Sequence, residues 1–289
     1  MTLSNRVGYD YNLNQPLEDN LAVRPILKWA GGKTQLLSQF QEYLPQPHEY
    51  NAYHEPFFGG GALFFHIQPR QAFLSDLNEE LINVYKIVRD NVEELIMSLG
   101  KHKNEEEYYY LLRSKDPKKM SKLERASRFL FLNKTCYNGL YRENRKGQFN
   151  VPFGRYKNPD FVNKEGLRAA SKVLQNAVLE VGDFSQVLDR AEPGDFIYFD
   201  PPYHPVTTTA NFTDYTSIPF GEAEQRKLAE VFQELHNKGC KVMLSNSDVP
   251  LMEDLYGEFT IKKVQAKRSI NCRADRRGPV NEVVVLSWL

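Results

Sequence analysis

Apolar residues in this chain fall into two patterns, short unbroken runs and longer stretches at helical spacing. The clearest run is Phe196-Ile197-Tyr198-Phe199; four consecutive β-favouring residues predict a strand buried on both faces. Further strands are expected from Tyr53, as a short strand before a glycine-rich bend, and at 72–76, 177–181, 241–244, 259–264 and 282–288. From Leu81 through Val84, Val88, Val92 and Leu95 to Leu99 the apolar positions keep helical spacing, which predicts one helix over 79–99. Other helices are predicted over 35–44, 63–67, 101–134, 167–174 and 222–238. Residues 1–24 are polar and aperiodic and read as a poorly ordered tail. Strands alternating with helices predict a doubly wound α/β fold. A mostly helical segment, 85–168, interrupts it, so that 25–84 and 169–289 form one domain around an inserted one.

Composition adds little until it is read locally. The 289 residues carry 37 basic and 37 acidic side chains, so global charge names no partner. Residues 101–168, however, hold 17 Lys and Arg against 8 Asp and Glu. Within that stretch, residues 137–156 read as a β-hairpin around a turn at Asn144–Gly147, with Arg, Tyr, Asn and Phe interleaved. Such a mix suits a DNA groove, where Arg reads guanine, Asn reads adenine and aromatic rings wedge or stack. A second basic stretch, Lys267, Arg268, Arg273, Arg276 and Arg277, is a candidate phosphate-contacting loop. Cys136, Cys240 and Cys272 are too few and too scattered for a disulfide or metal framework. No apolar run reaches membrane-spanning length and no signal peptide is evident, so a cytoplasmic monomer in contact with neither membrane nor metal is expected.

Candidate chemistry sits where the predicted strands end. The strand 196–199 stops at Asp200-Pro201-Pro202-Tyr203, because proline cannot continue a ladder. The Asp200 carboxylate and the Pro201 carbonyl are two neighbouring acceptors suited to a planar NH2 group, and Tyr203 offers a face for the ring that bears it. Glu55-Pro56-Phe57-Phe58-Gly59-Gly60-Gly61 follows another strand and lets a ligand approach the backbone. Downstream, Asp76 ends a strand after a glycine bend, where an acid accepts ribose hydroxyls, and it also suits the start of the next helix. Asp183 is a third strand-end carboxylate, able to accept from an exocyclic amine. Gly32-Lys33-Thr34 is not a phosphate loop, since that motif requires glycine where Leu27 stands. It remains a glycine turn between Trp29 and Lys33, either an anion-holding helix start or a plain cap. The loop 206–215 is Thr-rich and could close over a substrate.

Taken in order, Lys28-Trp29-Ala30-Gly31-Gly32-Lys33, the 55–61 motif, Ser75-Asp76-Leu77-Asn78 and Asp200-Pro201-Pro202-Tyr203 resemble the D12 class of DNA adenine-N6 methyltransferases. The hairpin is similar to that of the Dam branch, whose site is GATC. The resemblance runs from about residue 25 to the C-terminus. It implies a methyltransferase-type mixed sheet of seven strands, S-adenosylmethionine as methyl donor, and double-stranded DNA as partner. Trp29, Lys33, Phe58, Gly59, Asp76, Asp183 and Asp200 are implied around the donor, with Asp200, Pro201 and Tyr203 catalytic. On the DNA side it implies Arg142 on a guanine, Lys28 on the outer guanine, Leu140 and Pro152 on thymine methyls, and Tyr137 beside a flipped base. Asn138, Arg155 and Tyr156 complete the expected DNA contacts. The implied reaction is in-line methyl transfer to a flipped adenine, in which positioning supplies most of the rate. The same amino-group chemistry admits a cytosine-N4 enzyme, which usually shows Ser in place of Asp200, and a non-catalytic DNA-binding module on this fold is the other alternative.

Overall fold

The computed structural model describes residues 23–29, 31–144, 146–205, 220–267 and 279–289. The tail over 1–22, the Thr-rich loop and most of the second basic loop lie outside them. Seven strands form one mixed sheet: β1 (Tyr53–Glu55), β2 (Ala72–Asp76), β3 (Ala177–Val181), β4 (Phe196–Phe199), β5 (Lys241–Ser247), β6 (Thr260–Lys267) and β7 (Pro279–Leu286). Their spatial order is β3-β2-β1-β4-β5-β7-β6. The first five run parallel, and β7 runs antiparallel between β5 and β6. The chain leaves β1 in one direction for β2 and β3, then returns on its other side as β4. That reversal opens a crevice beyond the carboxyl ends of β1 and β4, the usual ligand position in such sheets.

All four residues of β4 are buried, as the unbroken apolar run predicts. Their alternation feeds two layers. Phe196 and Tyr198 join one hydrophobic cluster, while Ile197 and Phe199 join another. The second cluster is capped by α8 (Glu222–Asn237) and α9 (Pro250–Tyr256) through Leu228, Phe232, Leu235 and Tyr256. Each of these large side chains contributes about 1.5–3 kcal/mol by leaving water.

The first cluster continues from the sheet into the helices between β2 and β3. These are α3 (Glu79–Asp90), α4 (Val92–Leu99), α5 (Glu106–Ser114), α6 (Lys122–Thr135) and α7 (Lys164–Leu174). Ahead of β2 stand α1 (Leu37–Phe40) and α2 (Ala62–Ile67). Leu99, Tyr109, Phe129 and Phe131 share one core with Tyr53, Leu74 and Tyr198 of the sheet. The helix predicted over 79–99 is two helices, broken at Asn91 (φ −139°, ψ 44°). The stretch 101–134 likewise divides, because Asp116 caps a short 3-10 turn and Ser121 with Glu124 forms a capping box that starts α6. The helix predicted over 35–44 is shorter still, a 3-10 turn at Lys33–Gln35 followed by α1. The expected hairpin is present in register but not as a regular ladder. Among the described residues it shows the antiparallel bridges Cys136↔Phe153 and Glu143↔Phe149, with Asn150 N–H donating to the Arg142 carbonyl at 3.0 Å. No helix among the described residues is long and apolar enough to cross a membrane.

Candidate active site

Asp200 leaves the carboxyl end of β4 into the crevice. Its Oδ1 accepts from the Lys33 ammonium at 2.7 Å and from Ser245 Oγ at 3.1 Å. Burial raises the Asp200 pKa, and the Lys33 charge together with the Lys33 and Ser245 hydrogen bonds opposes that rise. Lys33 is itself buried; it also donates to the Gly31 carbonyl at 2.6 Å and lies 4.4 Å from the centre of the Tyr203 ring. A cation therefore bridges the carboxylate and the aromatic face, the two features singled out at this strand end. The Tyr203 hydroxyl donates to Glu282 of β7 at 2.7 Å. Ser245, fully buried on β5, lies 2.9 Å from the Tyr198 hydroxyl.

The loop after Asp200 is pinned from three sides. His204 N–H donates to Asn246 at 3.1 Å, Ser247 Oγ donates to the His204 carbonyl at 2.8 Å, and Gln225 of α8 donates to the Pro202 carbonyl at 3.0 Å. Gln225 and Asn246, both fully buried, bond each other at 3.0 Å. Pro201 is buried within this frame. Beside it, Glu55 ends β1 and accepts from the Tyr53 hydroxyl at 2.7 Å. Burial pushes the Glu55 carboxyl well above the usual carboxylate range, with the nearby Asp200 charge acting in the same direction.

The glycine loop is shaped by its neighbours. Gly59 adopts φ +47°, its N–H donates to Asp76 at 3.0 Å, and its carbonyl accepts from Tyr85 at 3.0 Å. A Cβ at Gly59 would meet the Trp29 ring at 2.8 Å, so this glycine admits the indole as well as a left-handed turn. Phe58 points the other way, into the core against Phe64, Phe65 and Tyr85. Asp76 also accepts from Asn78 N–H at 2.9 Å. The cap of α3 is Asn78, whose side chain accepts from Leu81 N–H at 3.0 Å, rather than Asp76. Asp76 thus uses two of its roughly four acceptor positions within the chain. Asp183 accepts from Ser185 N–H at 3.0 Å and from Lys227 at 3.2 Å. Burial pushes its carboxyl up, but the Ser185 hydrogen bonds and Lys227 outweigh that and leave it below the usual range.

The hairpin presents Tyr137, Asn138, Arg142, Pro152 and Arg155 as exposed side chains, with Leu140 and Tyr156 half-buried. Arg142 Nε donates to Asn150 at 2.7 Å, and the Tyr156 hydroxyl accepts from Asn138 N–H at 3.1 Å. Lys28 reaches this surface from the N-terminal side, with its ammonium 4.5 Å from the centre of the Tyr156 ring. Asn133 of α6 fixes the Lys28 backbone from both sides, accepting from its N–H at 2.9 Å and donating to its carbonyl at 2.8 Å.

A family model of D12 class N6 adenine-specific DNA methyltransferases matches residues 29–270. The chain is also 44% identical over 284 residues to the type II methyltransferase M1.LlaDCHI of Lactococcus lactis subsp. cremoris, across 96% of this chain and 99% of that one. The chain belongs to the D12 class of adenine-specific DNA methyltransferases. Two further relatives match over a similar extent. The type II methyltransferase M.MjaIII of Methanocaldococcus jannaschii is 43% identical over 289 residues, across 93% of this chain and 100% of that one. The DNA adenine methylase of Escherichia coli is 36% identical over 267 residues, across 91% and 95%.

In this methyltransferase the site residues expected from the sequence fall into two groups, with Asp183 held apart by Ser185 and Lys227. Lys33, Asp200 and Tyr203 touch one another, and Trp29, Gly59 and Asp76 form a second contiguous group. Sequence reasoning passed over Ser245, Gln225, Asn246 and Glu282, which hold the Asp200 loop. Their signal is faint, a polar residue ending an otherwise apolar strand or helix face. Glu55 belongs to the 55–61 motif, yet only its burial marks it as unusual.

Proposed function

We propose that this enzyme transfers a methyl group from S-adenosylmethionine to N6 of adenine within GATC in duplex DNA. The observation that carries the proposal is the Lys33–Asp200–Tyr203 contact at the crevice mouth. An N–H donor already satisfies the carboxylate while lying over the aromatic face, and a flipped adenine needs those same two contacts. The donor set supports the choice of methyl donor. Asp76 retains acceptor capacity for a ribose diol, Asp183 is held ionised for an exocyclic amine, and Trp29 walls the glycine loop. When bound, S-adenosylmethionine supplies an electrophilic methyl on a sulfonium that departs as a neutral thioether. Asp200 accepts from the adenine amino group together with the Pro201 carbonyl, which frees the nitrogen lone pair from the ring. Tyr203, with its hydroxyl fixed by Glu282, stacks on the base.

We assign 85–168 as the recognition segment, with 25–84 and 169–289 as the catalytic part. The exposed hairpin residues support DNA contact there, Arg142 reading guanine through its terminal nitrogens while its Nε is held by Asn150. The test is tritiated donor on GATC duplexes and single-base variants, followed by nucleoside analysis. N6-methyladenine confined to GATC is expected, and Asp200→Ala lowers turnover by several orders of magnitude with DNA binding intact. Methylcytosine, indifference to GATC, or Asp200→Ala activity within about tenfold of the parent would reject the proposal.

A further inference from the structure

Three aromatic rings lie between the hairpin and the glycine loop. Trp29 packs on the backbone of Gly59 and Gly60, where an added Cβ would meet it at 2.8 and 3.1 Å. On the Trp29 ring stacks Tyr141, with centroids 5.4 Å apart and planes at 26°. Phe129 of α6 stacks on Tyr141 in turn, at 5.2 Å and 26°. Tyr141 is 6% exposed, yet its neighbour in sequence is the exposed Arg142. The Tyr141 hydroxyl bonds Glu143 of the hairpin.

Among the described residues, the backbone ties of the hairpin are two isolated bridges, cross-strand bonds such as Tyr137 N–H to the Pro152 carbonyl and Asn150 N–H to the Arg142 carbonyl, and turn bonds at Asn144. Side chains complete its placement: Asn104, Tyr109 and Arg113 donate to its backbone carbonyls at Tyr156 and Val151, and among its own core-facing residues Tyr141 reaches Trp29 at the glycine loop. We propose that Tyr141 is a positioning residue shared by the recognition hairpin and the donor loop, so that duplex and methyl donor each bind more tightly when the other is bound. The inference rests on the reading of the hairpin as DNA-facing and of the glycine loop as the donor site. Ordering the Tyr141–Trp29 stack from either side leaves less freedom for the second ligand to remove, which is sufficient for positive coupling. Linkage makes the coupling reciprocal.

The experiment measures four affinities of the full-length enzyme: S-adenosylhomocysteine with and without GATC duplex by calorimetry, and the duplex with and without S-adenosylhomocysteine by anisotropy. In the parent each ligand is expected to tighten the other by the same factor, about fivefold or more. Tyr141→Phe, which keeps the ring, retains that factor, and Tyr141→Leu brings it close to one while Trp29 fluorescence loses its response to duplex. Thermal unfolding checks each variant; if Tyr141→Leu does not fold, Tyr141→Met is read in its place. A parent factor of one, or an unchanged factor without the ring, would overturn the proposal. So would a loss of S-adenosylhomocysteine affinity that is equal with and without duplex, the mark of a merely structural residue. Methylation of GATC duplexes by the parent is scored separately, so absent coupling in an active, GATC-specific enzyme counts against Tyr141 alone.

Discussion

Replacing Lys33 by methionine keeps much of the buried volume but removes the cation that faces Asp200. The 2.7 Å pair is asymmetric, with Lys33 5% and Asp200 21% exposed. Removing one partner of a fully buried pair costs about 3–5 kcal/mol, and a charge-assisted hydrogen bond alone is worth about 1.5–3 kcal/mol. Because Asp200 keeps partial exposure and its Ser245 bond, about 2 kcal/mol is the expected loss above neutral pH. At about 2–4 °C per kcal/mol for a chain of this size class, Tm falls by about 4–8 °C. The sign of its pH dependence follows from Asp200. Its pKa is already raised by burial, and losing the opposing Lys33 charge raises it further. An acid with a raised folded-state pKa costs stability above its unfolded value and is relieved as pH falls through the folded value. The Tm gap between parent and variant therefore narrows on acidification. Methyl transfer needs the carboxylate as acceptor, so the acidic limb of the kcat profile moves to higher pH in the variant. Differential scanning calorimetry and initial rates with tritiated donor over the same buffers test both. A Tm gap that stays constant with pH, together with an unmoved acidic limb, would refute the reasoning.

Three further outcomes are expected. Asp76→Ala raises the donor KM with little change in kcat, since ribose contacts serve ground and transition states alike; a pure kcat effect in steady-state assays would contradict this. Arg142→Ala loses about ten- to a hundredfold in discrimination at the guanine it reads, the worth of a bidentate contact, whereas equal losses on every duplex at two salt concentrations would mark it as a phosphate contact. Glu55→Gln removes a carboxyl whose raised pKa costs stability above its unfolded value of 4.5, so its Tm advantage over the parent grows as pH rises from there; a Tm deficit at neutral pH would show that the charge is needed for folding.

The sheet was legible because burial on two faces leaves an apolar run, and Phe196 to Phe199 deliver one face each in turn. The break at Asn91 was not, because the apolar spacing from Val88 to Val92 continues across it while the backbone turns. Likewise the chain enters the helix expected over 35–44 through a 3-10 turn at Lys33–Gln35, where Lys33 pairs with Asp200, a contact across 167 positions of the chain. At the site, strand-end carboxylates could be found from local pattern, since each follows a strand directly. The residues that orient them could not: Glu282 meets Tyr203 from 79 positions away, and Gln225 meets the Pro202 carbonyl from 23. Pairings of that kind are set by the strand order, which no single stretch of sequence contains.

The hairpin's two faces answer to different constraints. Tyr141 and Val151 are buried in the core that runs on into the sheet, while their neighbours Arg142 and Pro152 stand exposed. Side-chain alternation thus divides the segment into positions that the fold owns and positions open to drift. On the proposal that the hairpin faces DNA, substitutions at the exposed set change what is read without disturbing the core, so new sequence preferences are within reach of single point changes. A transplanted recognition segment, by contrast, has to bring its own inward residues into register with Trp29, Phe129 and Tyr109, and grafts that ignore them should be insoluble rather than merely altered in specificity.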